Sequence, residues 1–150
     1  MIRDSIKATG ALEITLYDSN HNVKQQVSVP NLVVTVGKNV IADRLIDAST
    51  SVMSHMAVGE DAGVILPLAT SNTALGAQIG SRVVLTNVTR TNNVITYSAE
   101  FADGVSTGAI VEAGIFNAST SGDMLCRTTF PVINKEASDF LTINWNVTIN

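Results

Sequence analysis

The last ten residues of the chain alternate apolar and polar positions through five full periods. Because successive side chains of a β-strand point to opposite faces, this alternation predicts a strand with one buried face. That apolar face consists of Leu141, Ile143, Trp145, Val147 and Ile149. The opposite face is polar without carrying a charge, and its members are Thr142, Asn144, Asn146, Thr148 and Asn150. A strand that faces solvent usually carries Lys or Glu, so we expect this uncharged face to meet another surface.

The same period of two residues recurs in most other segments. It predicts a hairpin that starts near Leu12 and ends near Val29, and a short strand that ends at Val58-Gly59. Further strands are predicted at 83–85, 95–101, 109–116 and 124–130. Proline lacks the N–H that a central strand donates, so Pro30 is predicted to lie outside a central ladder position and Pro131 to end its strand.

One segment has a helical period instead. Between Lys38 and Ala48, apolar residues recur at Val40, Ile41, Leu45 and Ile46, which fits 3.6 residues per turn. About eight short strands and this helix together predict a mainly β fold. The expected architecture is an antiparallel β-sandwich, similar to a jelly roll, with one short helix.

The length of 150 residues suits one domain, and no internal repeat divides the chain. Residues 1–10 have no clean period and are predicted to be an N-terminal arm, so the domain is expected to span 11–150. Residues 59–80 also lack a period and are predicted to form a long loop. This loop contains apolar side chains, including Ile65, Leu66 and Leu68, so we expect it to pack on the domain or on a neighbouring molecule.

Charged residues make up 15% of the chain, against about 25% in an average soluble domain, and Thr, Ser and Asn replace them. A surface so poor in charge favours association. The net charge is −4 and the basic residues are scattered, which argues against a nucleic-acid partner. No apolar run approaches about 18 residues and no signal peptide is recognisable, so we expect a soluble protein made in a cytoplasm. The single Cys126 is predicted to be a buried strand residue.

No arrangement of residues predicts catalysis. His21 is predicted in a turn and His55 in a strand, and neither has companions at the spacing of a metal site or a nucleophilic triad. We therefore expect no enzyme activity, no metal and no cofactor. Glu112 is more informative because it interrupts an apolar strand, where an unpaired charge is costly. It is predicted to form a structural ion pair with Arg82 or Arg127.

Three segments occur in an order that resembles a known family. They are Met53-Ser54-His55-Met56-Ala57-Val58-Gly59, Glu112-Ala113-Gly114-Ile115-Phe116-Asn117-Ala118 and Gly122-Asp123-Met124-Leu125. Their order resembles the N-terminal module of bacteriophage tail-collar and tail-fibre proteins, over about residues 50–150. The resemblance implies a structural virion component. Fibre proteins usually continue into a long shaft, whereas this sequence stops at Asn150, so no receptor-binding tip is implied.

The sequence therefore predicts a non-enzymatic virion protein, made in the bacterial host cytoplasm and attached to the tail, collar or baseplate. Its expected partners are other copies of itself, with a trimer as one option, and other virion proteins; no nucleic acid or membrane is expected. The candidate interface comprises Thr142, Asn144, Asn146, Thr148, Ile65, Leu66 and Leu68. Alternatives are a head decoration (cement) protein, a carbohydrate-binding module with exposed aromatic side chains, and a glycan hydrolase with two carboxylates about 5–10 Å apart.

Overall fold

A computed structural model describes residues 4–63 and 65–150. These ranges contain nine β-strands and one α-helix, which confirms the predicted mainly β fold with one short helix. The strands are β1 (Ala8–Tyr17), β2 (Val23–Val33), β3 (His55–Glu60), β4 (Val83–Val84), β5 (Asn87–Thr91), β6 (Val94–Phe101), β7 (Gly108–Phe116), β8 (Met124–Lys135) and β9 (Phe140–Ile149). Helix α1 (Thr35–Leu45) follows β2.

The strands form one curled antiparallel sheet in the order β4-β3-β7-β8-β2-β1-β9-β6-β5. Strand β2 joins its two parts, because most of β2 pairs with β1 whereas Leu32 and Val33 pair with β8. The two edge strands, β4 and β5, are separated by only two residues of chain. The sheet must therefore curl until its two edges come close together, and its two parts enclose a common core.

One apolar cluster fills the space inside the curled sheet. It takes side chains from strands of both parts, including Leu12, Ile14, Phe101, Ile110, Ile115 and Ile133. The predicted inner face of β9 is part of this cluster: Leu141, Ile143 and Trp145 are fully buried, Val147 is nearly so, and Ile149 is partly buried. The alternation in the sequence thus identifies the buried face of β9 correctly.

Pro30 and Pro131 both lie inside strands, and this corrects the expectation that Pro131 ends its strand. Pro30 has a ladder partner on β1 alone, which agrees with its predicted exclusion from a central ladder position. Pro30 pairs opposite Ala11 on β1, just before the point where β2 begins to pair with β8. Its carbonyl oxygen accepts a hydrogen bond of 2.7 Å from Thr128 Oγ1. Pro131 does not end β8, because it lies in a register shift where the strand bulges away from β7. A bulge needs no donated hydrogen bond at that position, so a strand can continue through proline.

Helix α1 begins and ends three residues before the predicted boundaries. Gly37 brings it against β8: a Cβ atom at this position would lie 2.1 Å from the carbonyl oxygen of Leu125, so only glycine permits this approach. Val40 of the helix is also buried. Leu45 and Ile46 were both predicted on the apolar face of the helix, but their exposed fractions are 80% and 79%.

The predicted N-terminal arm is shorter than expected. Strand β1 starts at Ala8, so residues 8–10 belong to the sheet. Lys7 and Asn150 extend the pairing with two backbone hydrogen bonds of 2.7 and 2.6 Å between their N–H and C=O groups. Residues 1–3 lie outside the described ranges. The chain ends are therefore held together from Lys7 onward by the β1–β9 ladder.

We predict that Ile143→Ala lowers the free energy of unfolding by about 2–5 kcal/mol, because it opens a cavity in the core. Asn144→Ala, one residue along on the opposite face, should cost only about 0.5–1.5 kcal/mol, the range for one lost hydrogen bond. Urea denaturation followed by Trp145 fluorescence measures both. Equal costs for the two substitutions would contradict the assignment of the faces.

Candidate functional site

The uncharged face of β9 continues across neighbouring strands. Thr142, Asn144 and Asn146 lie opposite Thr15, Glu13 and Ala11 of β1 and opposite Glu100, Ser98 and Thr96 of β6. Beyond β6, Ser98 and Thr96 lie opposite Asn87 and Thr89 of β5. We call the surface formed by these rows, together with the row of Thr9, Thr148, Val94 and Thr91, the outer sheet face. Its only charged members are Glu13 and Glu100.

Hydrogen bonds between strands fix the side chains at the centre of the outer sheet face. Thr96 Oγ1 donates to Asn146 Oδ1 and Ser98 Oγ donates to Asn144 Oδ1, each at 2.7 Å. These bonds orient both asparagine amides. In the described part of the chain neither Nδ2 group has a hydrogen-bond partner, so both groups are free to donate to an incoming surface.

The second element of interest is a buried ion pair between β7 and β8. Arg127 donates from Nε and Nη2 to Glu112 Oε2 at 2.8 and 2.5 Å. Arg127 is fully buried and Glu112 is 1% exposed. The sequence left two partners open for Glu112, and the structure pairs it with Arg127.

The ion pair also binds the long loop, which runs from 61 to 82 in the structure. Arg127 donates to the carbonyl oxygens of Leu66 and Pro67 at 2.8 and 3.3 Å, and to Asn72 Oδ1 at 3.0 Å. At the far end of the loop, Glu112 Oε1 accepts a hydrogen bond of 2.9 Å from the N–H of Ala77. The loop backbone is thus clamped to the domain, while the side chains of Ile65, Leu66 and Leu68 stay 42%, 40% and 41% exposed.

Arg82 has a different role. Its Nη1 donates to the carbonyl oxygens of Ala118 and Ser121 at 2.8 and 2.7 Å. Its guanidinium group lies 3.6 Å from the centroid of the Phe116 ring, a cation–π contact. Partial burial lowers the pKa of Arg82 from its ordinary value. Arg82 therefore fastens the turn between β7 and β8 rather than neutralising Glu112.

The glycines of the motif segments allow these contacts. A Cβ atom on Gly59 would lie 2.4 Å from Glu112 Oε1, where the carboxylate binds the loop. Gly114 lies under Leu75 of the loop: a Cβ atom there would be 3.1 Å from Leu75 Cδ2. Gly59 therefore leaves room for the Glu112 carboxylate, and Gly114 leaves room for the loop.

The histidines do not converge on a site. His21 packs against the edge of Phe140 with ring centroids 5.1 Å apart, and His55 Nδ1 lies 2.8 Å from Ser54 Oγ. Burial raises the pKa of the Cys126 thiol, which keeps it protonated. Within residues 4–63 and 65–150 no three His, Cys, Asp or Glu side chains are placed to hold a metal ion. No helix of these ranges has the length and apolar character needed to cross a membrane.

The aromatic side chains divide between core and surface. Trp145, Phe101 and Phe116 are fully buried. Tyr17 and Phe140 stack with ring centroids 4.6 Å apart at one end of β1 and β9, where both are partly exposed. Trp145, the largest aromatic side chain, therefore belongs to the core.

Sequence reasoning did not identify the loop residues that complete the clamp. Asn72 and the carbonyl groups of Leu66 and Pro67 carry no local signal, because any residue has a carbonyl group and asparagine is common in loops. Comparisons with protein-family models, with curated proteins and with solved structures found no match.

We predict that Arg127→Met lowers the free energy of unfolding by about 3–5 kcal/mol, because it leaves the Glu112 carboxylate buried without a cation. The double variant Glu112→Gln, Arg127→Met should recover part of this loss, since it removes the unpaired charge. Chemical denaturation of both variants measures the difference. The exposed substitution Arg90→Met is the control and should change stability by less than about 0.5 kcal/mol. A double variant no more stable than Arg127→Met would contradict the account.

Proposed function

We propose that this protein is a non-enzymatic structural component of a bacteriophage virion. It forms a homo-oligomer and attaches to other virion proteins at the tail, collar or baseplate. The outer sheet face is the observation that carries the proposal, and the motif order around the clamp supports the choice of a virion protein.

The outer sheet face has the chemistry of an interface centre. Charged residues are depleted at the centre of protein interfaces, because each buried charge loses its hydration. Thr, Ser and Asn cost less to desolvate and can form hydrogen bonds to a partner. The bonds from Thr96 and Ser98 hold Asn146 and Asn144 in place before binding, so little side-chain entropy is lost on association.

The resemblance to tail-collar and tail-fibre modules rests on segments that act together in space. Strand β3, which contains Met56-Ala57-Val58-Gly59, pairs with β7, which contains Glu112. The loop between the segments is bound by Glu112 and Arg127. The order of these segments along the chain, together with these contacts, is what supports the choice of a virion module.

We predict that Asn144→Lys combined with Asn146→Lys leaves the fold intact and prevents incorporation into particles. Both positions are exposed, so the thermal unfolding midpoint should shift little. Two long charged side chains at the centre of an interface would lose their hydration and would displace the partner surface. Complementation of a phage that lacks the gene, followed by quantification of the protein in purified particles, measures incorporation.

The matched control is Asn134→Lys, which places the same new side chain on an exposed position of β8. It should be incorporated like the wild type. Immunogold labelling of particles then locates the protein, and label on the capsid would favour a head decoration protein instead. Absence of the wild-type protein from purified particles would refute the proposal.

A further inference from the structure

Two adjoining apolar grooves lie beside helix α1. The larger has a volume of about 500 Å³ and the smaller about 280 Å³, and both are lined by Ile41, Leu45 and Ile149. Next to them, Leu45, Ile46, Val52 and Ile6 expose between 61% and 80% of their surface. Contiguous exposed apolar surface of this kind marks an interaction site. We call the two grooves together the helix groove.

The helix groove is basic although the chain is acidic. Among residues 4–63 and 65–150, the charged residues that line the grooves are Lys7, Lys38 and Arg44, and no Asp or Glu lines either groove. The whole chain has 13 acidic and nine basic residues. An occupant that complements the groove therefore combines large apolar side chains with carboxylates.

The chain itself carries a surface with this combination. Glu60 and Asp61 are exposed, and the exposed apolar side chains of Ile65, Leu66 and Leu68 follow them. Between Arg44 and Arg82 the sequence contains no Lys or Arg. We call residues 60–68 the acidic loop. The bonds from Arg127 to the carbonyl groups of Leu66 and Pro67 hold the backbone against the domain at these two residues.

We propose that the helix groove binds the acidic loop of a second copy of this chain. The inference rests on the proposed homo-oligomeric function and names the surfaces through which copies meet. None of the described residues of the acidic loop, 60–63 and 65–68, lines the groove of its own chain, so the contact is between molecules. It adds a second contact, which adjoins the outer sheet face at Thr9.

Charge also decides the symmetry of this contact. A two-fold contact of groove with groove would bring Lys7 and Lys38 toward their counterparts, and a contact of loop with loop would oppose carboxylates. Only groove with loop brings opposite charges together. Such a head-to-tail contact generates a closed ring when the rotation between copies closes, and an open filament when it does not.

The test uses two full-length variants with reversed charges. Lys7→Glu with Lys38→Glu makes the groove acidic, and Glu60→Lys with Asp61→Lys makes the loop basic. Each variant alone then opposes like charges and should self-associate at least about tenfold more weakly than the wild type. In a mixture, the unaltered groove of one variant meets the unaltered loop of the other, and the two altered surfaces also attract. Sedimentation velocity should therefore show association restored in the mixture.

Two further variants separate the groove contact from general effects. Leu45→Ser removes an exposed apolar side chain from the groove and should weaken wild-type association without lowering the melting temperature. Arg90→Glu reverses a charge outside the groove and should leave association unchanged. Thermal melts confirm that every variant is folded.

A mixture that stays monomeric while the wild type associates would overturn the inference, and so would undiminished self-association of either charge-reversed variant. A wild-type protein that is monomeric at all concentrations would do the same. Binding of dodecanoate in the groove of a monomeric wild-type protein would assign the groove to an anionic amphiphile instead. A monomeric wild type would also remove the homo-oligomer from the proposed function, whereas the other outcomes would not. None of these outcomes decides whether the protein is incorporated into particles, so its place in the virion is tested separately.

Discussion

The ion pair of Arg127 and Glu112 is the interaction on which the long loop between β3 and β4 depends. A fully buried guanidinium group is tolerated only when its donors are satisfied, and here Glu112, Asn72 and two loop carbonyl groups accept from it. Because these acceptors belong to β7 and to the loop, the need to satisfy one arginine fixes the loop at Leu66, Pro67 and Asn72. The glycines at 59 and 76 follow from the same need, since side chains there would meet the carboxylate or Leu66.

The clamp also explains how a domain of low charge can expose apolar side chains. Apolar residues of a mobile loop would collapse onto the nearest surface. Here the carbonyl groups of Leu66 and Pro67 point inward to Arg127, so the side chains beside them are directed outward. A charge buried in the core thus determines which apolar groups are offered at the surface, and it does so at a fixed position. Pre-organisation of this kind reduces the entropy lost on binding.

The pattern of apolar and polar residues predicted those features of the fold that depend only on neighbouring residues of the chain. The alternation in β9 identified its buried and exposed faces, since a two-residue period follows from strand geometry alone. The expectation that Pro131 ends its strand failed because the register of β7 against β8 decides whether an N–H is needed there. The helix groove was not predicted, since the exposure of Leu45 depends on how α1 crosses the sheet. Glu112 was recognised as an ion-pair partner, but the choice between two arginines required the register of β7 against β8.

The two proposed contacts differ in chemistry, and this difference gives them different roles in assembly. The outer sheet face offers oriented hydrogen-bond donors with few charges, so its affinity depends on shape and on matched polar partners. The helix groove and the acidic loop combine apolar burial with opposite charges, which speeds encounter and weakens as salt screens it. In a head-to-tail contact every copy uses its helix groove and its acidic loop. The outer sheet face of each copy then remains available to other partners. An oligomer held by groove and loop would therefore present several identical outer sheet faces at once. A larger assembly would bind them with an avidity that one copy lacks.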